Sequence, residues 1–400
     1  MSRVVIVDAK RTPFGRFRGS LAAESAAALA VAAADPIIGR IDPSMIDQVI
    51  LGNVLAAGQG MNVARQVAVK LGLPIRTPAW SVNMMCGSGL QAALAAATAI
   101  RAGEARVVLA GGTESMSQTP LLVPRPAKGC SPDSAAAVDS LLRDGLLDSF
   151  SGEHMAVQAE ELASRFQITR PAQDAFAFRS QRLYASAQAR GEFRDELVPG
   201  GDLTSDEHPR PDATLDSLAS LKPVFDPANG TVTAGNASGV NDGAAVVLLA
   251  DDEFARSQGW PMLAHWVDAV VVGCDPRQMG LGPVDAIEAL LKRTGRGWAD
   301  IDALEINEAF ASQTLACLQS MGVSLDLSRP ESRAKFPDGH EVDFNSEGGA
   351  IAIGHPLAAS GARVLGHLAW KISHGRSRAS IGSLCIGGGM GIAVLLESVD

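Results

Sequence analysis

At 400 residues and 46% hydrophobic content, the chain is long enough for two domains or one two-lobed unit around a sizeable core. Its 34 basic and 44 acidic side chains give a formal charge of −10 without any basic block, which excludes a track for a phosphate backbone and predicts no nucleic-acid partner. The longest apolar stretch, LAAESAAALAVAAADPIIG, is broken by Glu24 and Asp35 and built mostly of alanine, so no membrane span is expected.

The opening MSRVVIVDAKRTPFGR reads as a β-branched strand running into a basic turn. It lacks the apolar segment and cleavage site of a secretion leader, and a cytoplasmic location is the expectation. Cys86, Cys130, Cys274, Cys317 and Cys385 are odd in number and widely spaced, with no C-x-x-C pair, so neither disulfides nor a metal site are predicted. The strands RVVIVDA and QVILGNV alternate with helices predicted at 22–34 and 62–72, a pattern of α/β layering. A strand AWSVNM then leads into CGSGLQAALAAATAIRAGEARVVLAGG, read as a helix from near Ser88, a stop at Gly103 and a strand closing on Gly111 and Gly112.

Residues 118–240 differ in kind, rich in proline, acids and polar residues, with helical pieces such as RPAQDAFAFRSQRLYASAQARG closed by Gly191. This segment carries its own apolar periodicity and reads as an excursion from the first half, not a linker. Residues 324–346 are charged and poor in aliphatic side chains, and are expected to form a surface loop. The earlier unit then recurs in SGARVLGHLAWKISHGRSRASIGSLCIGGG, with Ser-Gly, a helix, a stop at Gly375 and a strand ending in glycines. Two halves of similar design are implied.

Four places could carry chemistry. Cys86 lies between a strand and a helix start, where a helix dipole would favour a thiolate; a nucleophile and a packed core thiol are both open readings. His355, between Gly354 and Pro356 in GGAIAIGHPLAASGAR, could take a proton from a thiol or simply satisfy a local turn. Cys385 in SLCIGGGMG closes a strand and could be reactive or buried. Asn307 and Glu308 in EINEAFA could contribute to a site or cap the following helix. All four fall at strand ends of an α/β pattern, where clefts form.

The blocks CGSG, NEAFA, GGAIAIGHP and CIGGGMG, with RTPFGRFRGSLA near the start and GTVTAGNASGVNDGAA at 230–245, resemble the thiolases, and most closely the acetoacetyl-CoA thiolases (acetyl-CoA acetyltransferases). The resemblance runs in order from about residue 3 to about residue 395. It implies a duplicated five-layer α/β/α/β/α fold, with residues 1–117 and about 241–262 as one half, 118–240 as an inserted loop domain, and 263–400 as the other half. It also implies reversible Claisen condensation and thiolysis between acyl-CoA and acetyl-CoA.

On this resemblance Cys86 is the acylated nucleophile, His355 its base, and Cys385 the acid/base at the substrate α-carbon. Asn307 holds a water that forms one oxyanion hole with His355, and the backbone N–H groups of Cys86 and Gly387 form the other. Coenzyme A is bound as substrate, with no permanent cofactor and no metal. Arg210 is placed near its nucleotide end, Ser238 on the pantetheine, and His154 and Met155 beside the thiol end. A homo-oligomer, dimer or tetramer, is implied.

Several positions leave the family pattern. Ala156, Gln158 and Glu161 stand in HMAVQAEE and would alter the wall near the acyl group, Glu347 replaces an asparagine, and Ala358 replaces a glycine and would tighten its turn. Capping the site mouth, touching a neighbouring subunit and neither are all open for 324–346. A ketoacyl synthase would lack the second cysteine and the asparagine; a non-catalytic acyl-CoA or sterol carrier would be free to lose Cys86, His355 or Cys385.

Overall fold

The computed structural model describes residues 2–125 and 136–399; Cys130 lies outside the described residues. In the first half the strands are β1 (Val4–Arg11), β2 (Gln48–Gly52), β3 (Ala79–Val82), β4 (Val107–Ser115) and β5 (Asn241–Asp251). In the second they are β6 (Ala264–Gly273), β7 (Ala303–Ile306), β8 (Glu341–Phe344), β9 (Ala379–Ile386) and β10 (Met390–Glu397). The pairing is the same in both. The first half runs β3-β2-β4-β5-β1 and the second β8-β7-β9-β10-β6, each with its first three strands parallel and its last two antiparallel. A short contact between β1 and β6 joins them, with Val4 opposite Trp266.

Period-2 alternation along these strands fills three core layers. Val5 and Val7 of β1, with Val49, Leu51, Val107 and Leu109, face outward onto α1 (Ala26–Ile38) and α2 (Val63–Lys70). Val4, Ile6, Ile50, Val108 and Ala110 face inward onto α3 (Ser88–Arg101). From the other side Leu384, Ile386, Ile392 and Val394 face the same inner layer, while Ile381, Ala393 and Leu395 face out. Two helices of the second half, α6 (Gly282–Thr294) and α7 (Ala311–Ser320), cover that outer face, and α8 (Leu357–Ser373) lies beside α3 in the middle. The result is the five-layer α/β/α/β/α arrangement.

The helix predicted at 22–34 starts later, at Ala26, because the Ser25 side chain accepts from the Ala28 N–H (3.2 Å) and fixes the first turn there. It also runs on through Pro36 to Ile38. Residues 324–346 do not form a surface loop alone. Glu341–Phe344 pairs in parallel with β7 and extends the second sheet, with Ala334, Phe336, Val342 and Phe344 buried. The segment holds few apolar residues, but Val342 and Phe344 alternate and so share one face, and Phe336 stacks on Trp298 (4.0 Å between centroids).

Between β4 and β5 lie α4 (Met155–Arg165) and α5 (Arg170–Ala189). Buried ion pairs tie this excursion back to the core. Arg11 of β1 meets Glu196 and Asp206 (both 2.6 Å), Tyr184 donates to Asp206 (3.0 Å), and His367 of α8 meets Glu196 (2.8 Å). Paired in this way the charges keep their hydrogen bonds although water is excluded.

The duplication also fixes what stands at the strand ends. Gly52 faces Gly112 across β2 and β4, and Ile306 faces Ser383 across β7 and β9. One step beyond the first member of each pair stands Asn53 or Asn307. Two steps beyond the second stands Glu114 or Cys385. The central helices follow the same plan, with Cys86 just before α3 and His355 just before α8.

Candidate active site

Met85, immediately before the cysteine, has a left-handed backbone (φ 46°), which a non-glycine side chain adopts only when its surroundings hold it. They do. Asn83 Oδ1 accepts from the Met85 N–H (3.0 Å), while Ser88 Oγ accepts from the Met84 N–H (2.8 Å) and donates to the Met85 carbonyl (2.6 Å). This turn aims Cys86 into a cavity of about 240 Å³.

Cys86, His355, Cys385 and Gly387 line that cavity together with His154, Met155 and Ser238. Asn307 is not among the lining residues but stands two residues before the lining pair Ala309–Phe310, and neither atom of its side-chain amide has a protein partner among the described residues although both are buried. A buried amide left so by the protein is suited to a bound oxygen. Arg210 is not brought to the cavity: it is exposed, and its backbone N–H donates to Gln181 Oε1 (2.8 Å).

Cys86 is a thiol at rest, not the thiolate expected from the helix start. Burial pushes its pKa up to about 11, and this outweighs the N–H groups of Gly387 and of Cys86 itself that point at the sulfur. Burial and the charge of Arg363 push His355 down to about 4, so the imidazole is neutral. Its tautomer follows from its neighbour. Ser360 Oγ donates to the Pro356 carbonyl (2.9 Å), so His355 Nδ1–H donates to Ser360 (2.6 Å) and Nε2, which has no partner among the described residues, carries the lone pair. Asn241 Oδ1 accepts from the His355 backbone N–H (2.9 Å) and holds the residue from the other side.

Cys385 is buried with Met155, Met279 and Ala309, and burial first, then repulsion from Cys86 once that thiol ionises at high pH, raises its pKa well above the usual thiol value. It stays protonated near neutrality and can donate. A Cβ at Gly387 would sit 2.8 Å from Met155 Sδ, so a side chain there would have to displace the Met155 thioether. At the mouth, the His154 ring packs on Phe225 (4.4 Å), and His154 Nδ1 accepts from the Ala156 N–H (3.1 Å) at the start of α4.

Ser360, Asn241 and Glu114 were not singled out by sequence reasoning. Ser360 and Asn241 stand inside quoted motifs, but only the fold shows that they grip His355. Glu114 follows the Gly111–Gly112 pair, and burial pushes its carboxyl up to about 7 against the N–H groups of Leu55, Ala358 and Val54 that it accepts from.

The departures also resolve. Ala156, Gln158 and Glu161 do not line the cavity, and Glu161 is exposed on the outer side of α4, so none of them forms the acyl wall. Ala358 lies in the regular first turn of α8 and tightens nothing. Glu347 pairs with Lys371 (3.1 Å), Arg376 (3.2 Å) and His367 (3.4 Å), away from the cavity. No residue of 324–346 lines the cavity, so the segment does not cap it.

Two cysteines and a neutral histidine thus line one small cavity on a duplicated sheet pair. The chain belongs to the thiolase family: the thiolase N-terminal domain matches residues 4–253 and the thiolase C-terminal domain residues 260–398. It is similar to the acetyl-CoA acetyltransferase of Cupriavidus necator, 44% identical over 99% of this chain and 100% of that protein. Among solved structures it is similar to human mitochondrial 3-ketoacyl-CoA thiolase in complex with CoA (40% identity, TM-score 0.91, covering 100% of this chain and 98% of that one). It is also similar to the Bacillus anthracis acetyl-CoA acetyltransferase (36% identity, TM-score 0.91, covering 100% and 99%).

Proposed function

We propose that this thiolase is an acetyl-CoA C-acetyltransferase that interconverts acetoacetyl-CoA plus CoA with two acetyl-CoA. The observation that carries the reading is one cavity lined by Cys86, Cys385 and His355, with the unpartnered His355 Nε2 turned from its serine and two backbone N–H groups on the Cys86 sulfur.

In the thiolysis direction Cys86 Sγ attacks the 3-keto carbon while His355 Nε2 takes the thiol proton. The C2–C3 bond then breaks, leaving an acetyl group on Cys86 and the enolate of acetyl-CoA. Cys385 Sγ–H protonates C2 and regains its proton from the incoming CoA thiol, whose sulfur attacks acetyl-Cys86; a second acetyl-CoA forms, and the departing Cys86 sulfur takes back its proton from His355. The N–H groups of Cys86 and Gly387 serve the oxygen on the carbon bonded to Cys86. His355 and a water held by Asn307 serve the enolate oxygen. A neutral resting site suits this cycle, because no buried charge has to be maintained between turnovers.

The relatives' names support the acetyl substrate, and so does the small cavity, which Met116, Leu146, Leu357 and Met279 close around the sulfur. Ser238, His154 and Met155 are read as pantetheine contacts. Arg210 with Arg16, close enough to lower its pKa, supplies positive potential for the nucleotide phosphates. The likeness to a 3-ketoacyl-CoA thiolase favours a second reading, a broader chain-length range. The four described cysteines are unpaired, which supports a cytoplasmic location, and among the described residues no helix is long and apolar enough to cross a membrane. A homo-oligomer is supported by β3, an edge strand that carries the exposed Trp80 and follows the exposed Ile75.

Brief exposure to acetyl-CoA is expected to leave an acetyl mass on the Cys86 peptide; a label on Cys385 instead would reverse the two roles. Thiolysis rates across 3-ketoacyl-CoA chain lengths are expected to be highest at four carbons, and a flat profile would favour the broader reading.

A further inference from the structure

Glu114, at the end of β4, is fully buried, and none of the steps above uses it. Its carboxylate accepts four hydrogen bonds. Oε1 takes those of Asn53 Nδ2 and the Leu55 N–H (both 2.9 Å), and Oε2 those of the Val54 N–H (3.2 Å) and the Ala358 N–H (3.1 Å). Every partner is a donor, a set matched to an ionised carboxylate. Three of the donors lie in the loop after β2. The fourth is in the first turn of α8, three residues after His355, where a helix leaves its N–H groups unsatisfied and favours negative charge.

The contact spans the duplication. The loop 53–55 and β4 belong to the half that presents Cys86, and α8 belongs to the half that presents His355. On the same turn of α8 the Ala358 carbonyl lies so close to Gly112 that a Cβ there would sit 1.8 Å away. Backbone contact therefore seats α8 on β4, and Glu114 clamps it. Glu114 also lies near enough to Cys86 for its charge to act on the thiol.

Resting on the reading of His355 as the base for Cys86, we propose that Glu114 is a positioning residue for the reaction, its carboxylate holding the first turn of α8, and with it His355, in register with the Cys86 turn. A reacting group displaced by about 1 Å reacts about 10²-fold more slowly, so the bond acts on rate more than on binding.

Glu114→Gln keeps the size and, whichever way the amide turns, sets an NH₂ against at least one fixed backbone N–H donor, Leu55 on one side or Val54 and Ala358 on the other. Single-turnover acetylation of Cys86 by acetyl-CoA is expected to fall about 10- to 100-fold, with half-saturation unchanged within about twofold. Because Glu114 acts through His355, the double variant Glu114→Gln/His355→Ala is expected to be no slower than His355→Ala alone. A wild-type rate for Glu114→Gln would overturn the proposal, and so would a double variant slowed by both factors multiplied, the signature of a purely structural residue. If His355→Ala acetylates at the wild-type rate, the base assignment falls and the proposal falls with it. Glu114→Asp, which keeps the charge but shortens the reach by one methylene, gives the same reading of the cycle should the glutamine variant not fold.

Discussion

The two halves pair their strands in one order and place an asparagine at one register position, yet only one half keeps its asparagine free. Asn53 is bound to Glu114 (2.9 Å), and the pair serves to hold backbone together. Asn307, its counterpart, has Cys385 at the position of Glu114 and, among the described residues, no protein partner for its amide. Duplication thus supplied two equivalent sets of strand ends, and one satisfies its own polar groups while the other leaves its amide open. The helix starts divide the work in the same manner, Cys86 before α3 and His355 before α8.

The central helices differ as well. The buried face of α3 is mostly alanine, with Ser88, Gly89, Leu90 and Ile100 and no charged side chain, whereas α8 carries Arg363, His367 and Lys371, four residues apart and all buried. Each finds an acid: Glu305 for Arg363, Glu196 and Glu347 for His367, and Glu347 for Lys371. Because Glu196 belongs to the excursion, α8 both presents His355 and fastens the inserted segment.

The largest effect is expected from the position that separates the halves most sharply. Cys385→Ala should still acquire an acetyl group on Cys86, while exchange of the acetyl-CoA α-proton falls about 10²- to 10⁴-fold, as isotope exchange would show. Normal exchange would mean that the strand-end position does no chemistry in either half. Next come the paired asparagines. Asn307→Ala should lower turnover about 10²-fold with an unchanged melting midpoint, since it breaks no protein bond. Asn53→Ala should instead lower stability by about 1 to 3 kcal/mol, read by urea unfolding, because it leaves a bond of a buried carboxylate unmade.

The smallest effect concerns α8. Burial alone would lower the His367 pKa, but Glu196 and Glu347 raise it to about 9. Its contribution is therefore fully present below the unfolded histidine value of about 6.5 and is lost as pH rises through about 9. The stability difference between the wild type and His367→Gln should shrink over that interval. A difference that stays constant with pH would mean that His367 is not charged in the fold.

Much of this was legible in the chain. Alternating β-branched runs, glycine stops at 103 and 375 and the recurrence of a small-residue helix followed by a glycine-ended strand indicated layered α/β halves, because periodicity and turn chemistry are local. The motifs around Cys86, Asn307, His355 and Cys385 indicated a site for the same reason. The strand at 341–344 was missed, since a short buried segment between charged residues carries almost no apolar signal until β7 on one side and Ala334–Lys335 on the other receive it.

The sequence by itself determined which side chains could do chemistry and that they stand at strand ends, since residue identity and local period are properties of the chain. Only the tertiary structure decided their states. A thiol held near pKa 11, a histidine near 4 and its tautomer depend on burial, on Ser360 and on Arg363, and desolvation arises only when both sheets close over the central helices. The seam at Glu114 was decided there too, because its donors lie 59 to 244 residues away in the chain and meet only once the halves pack.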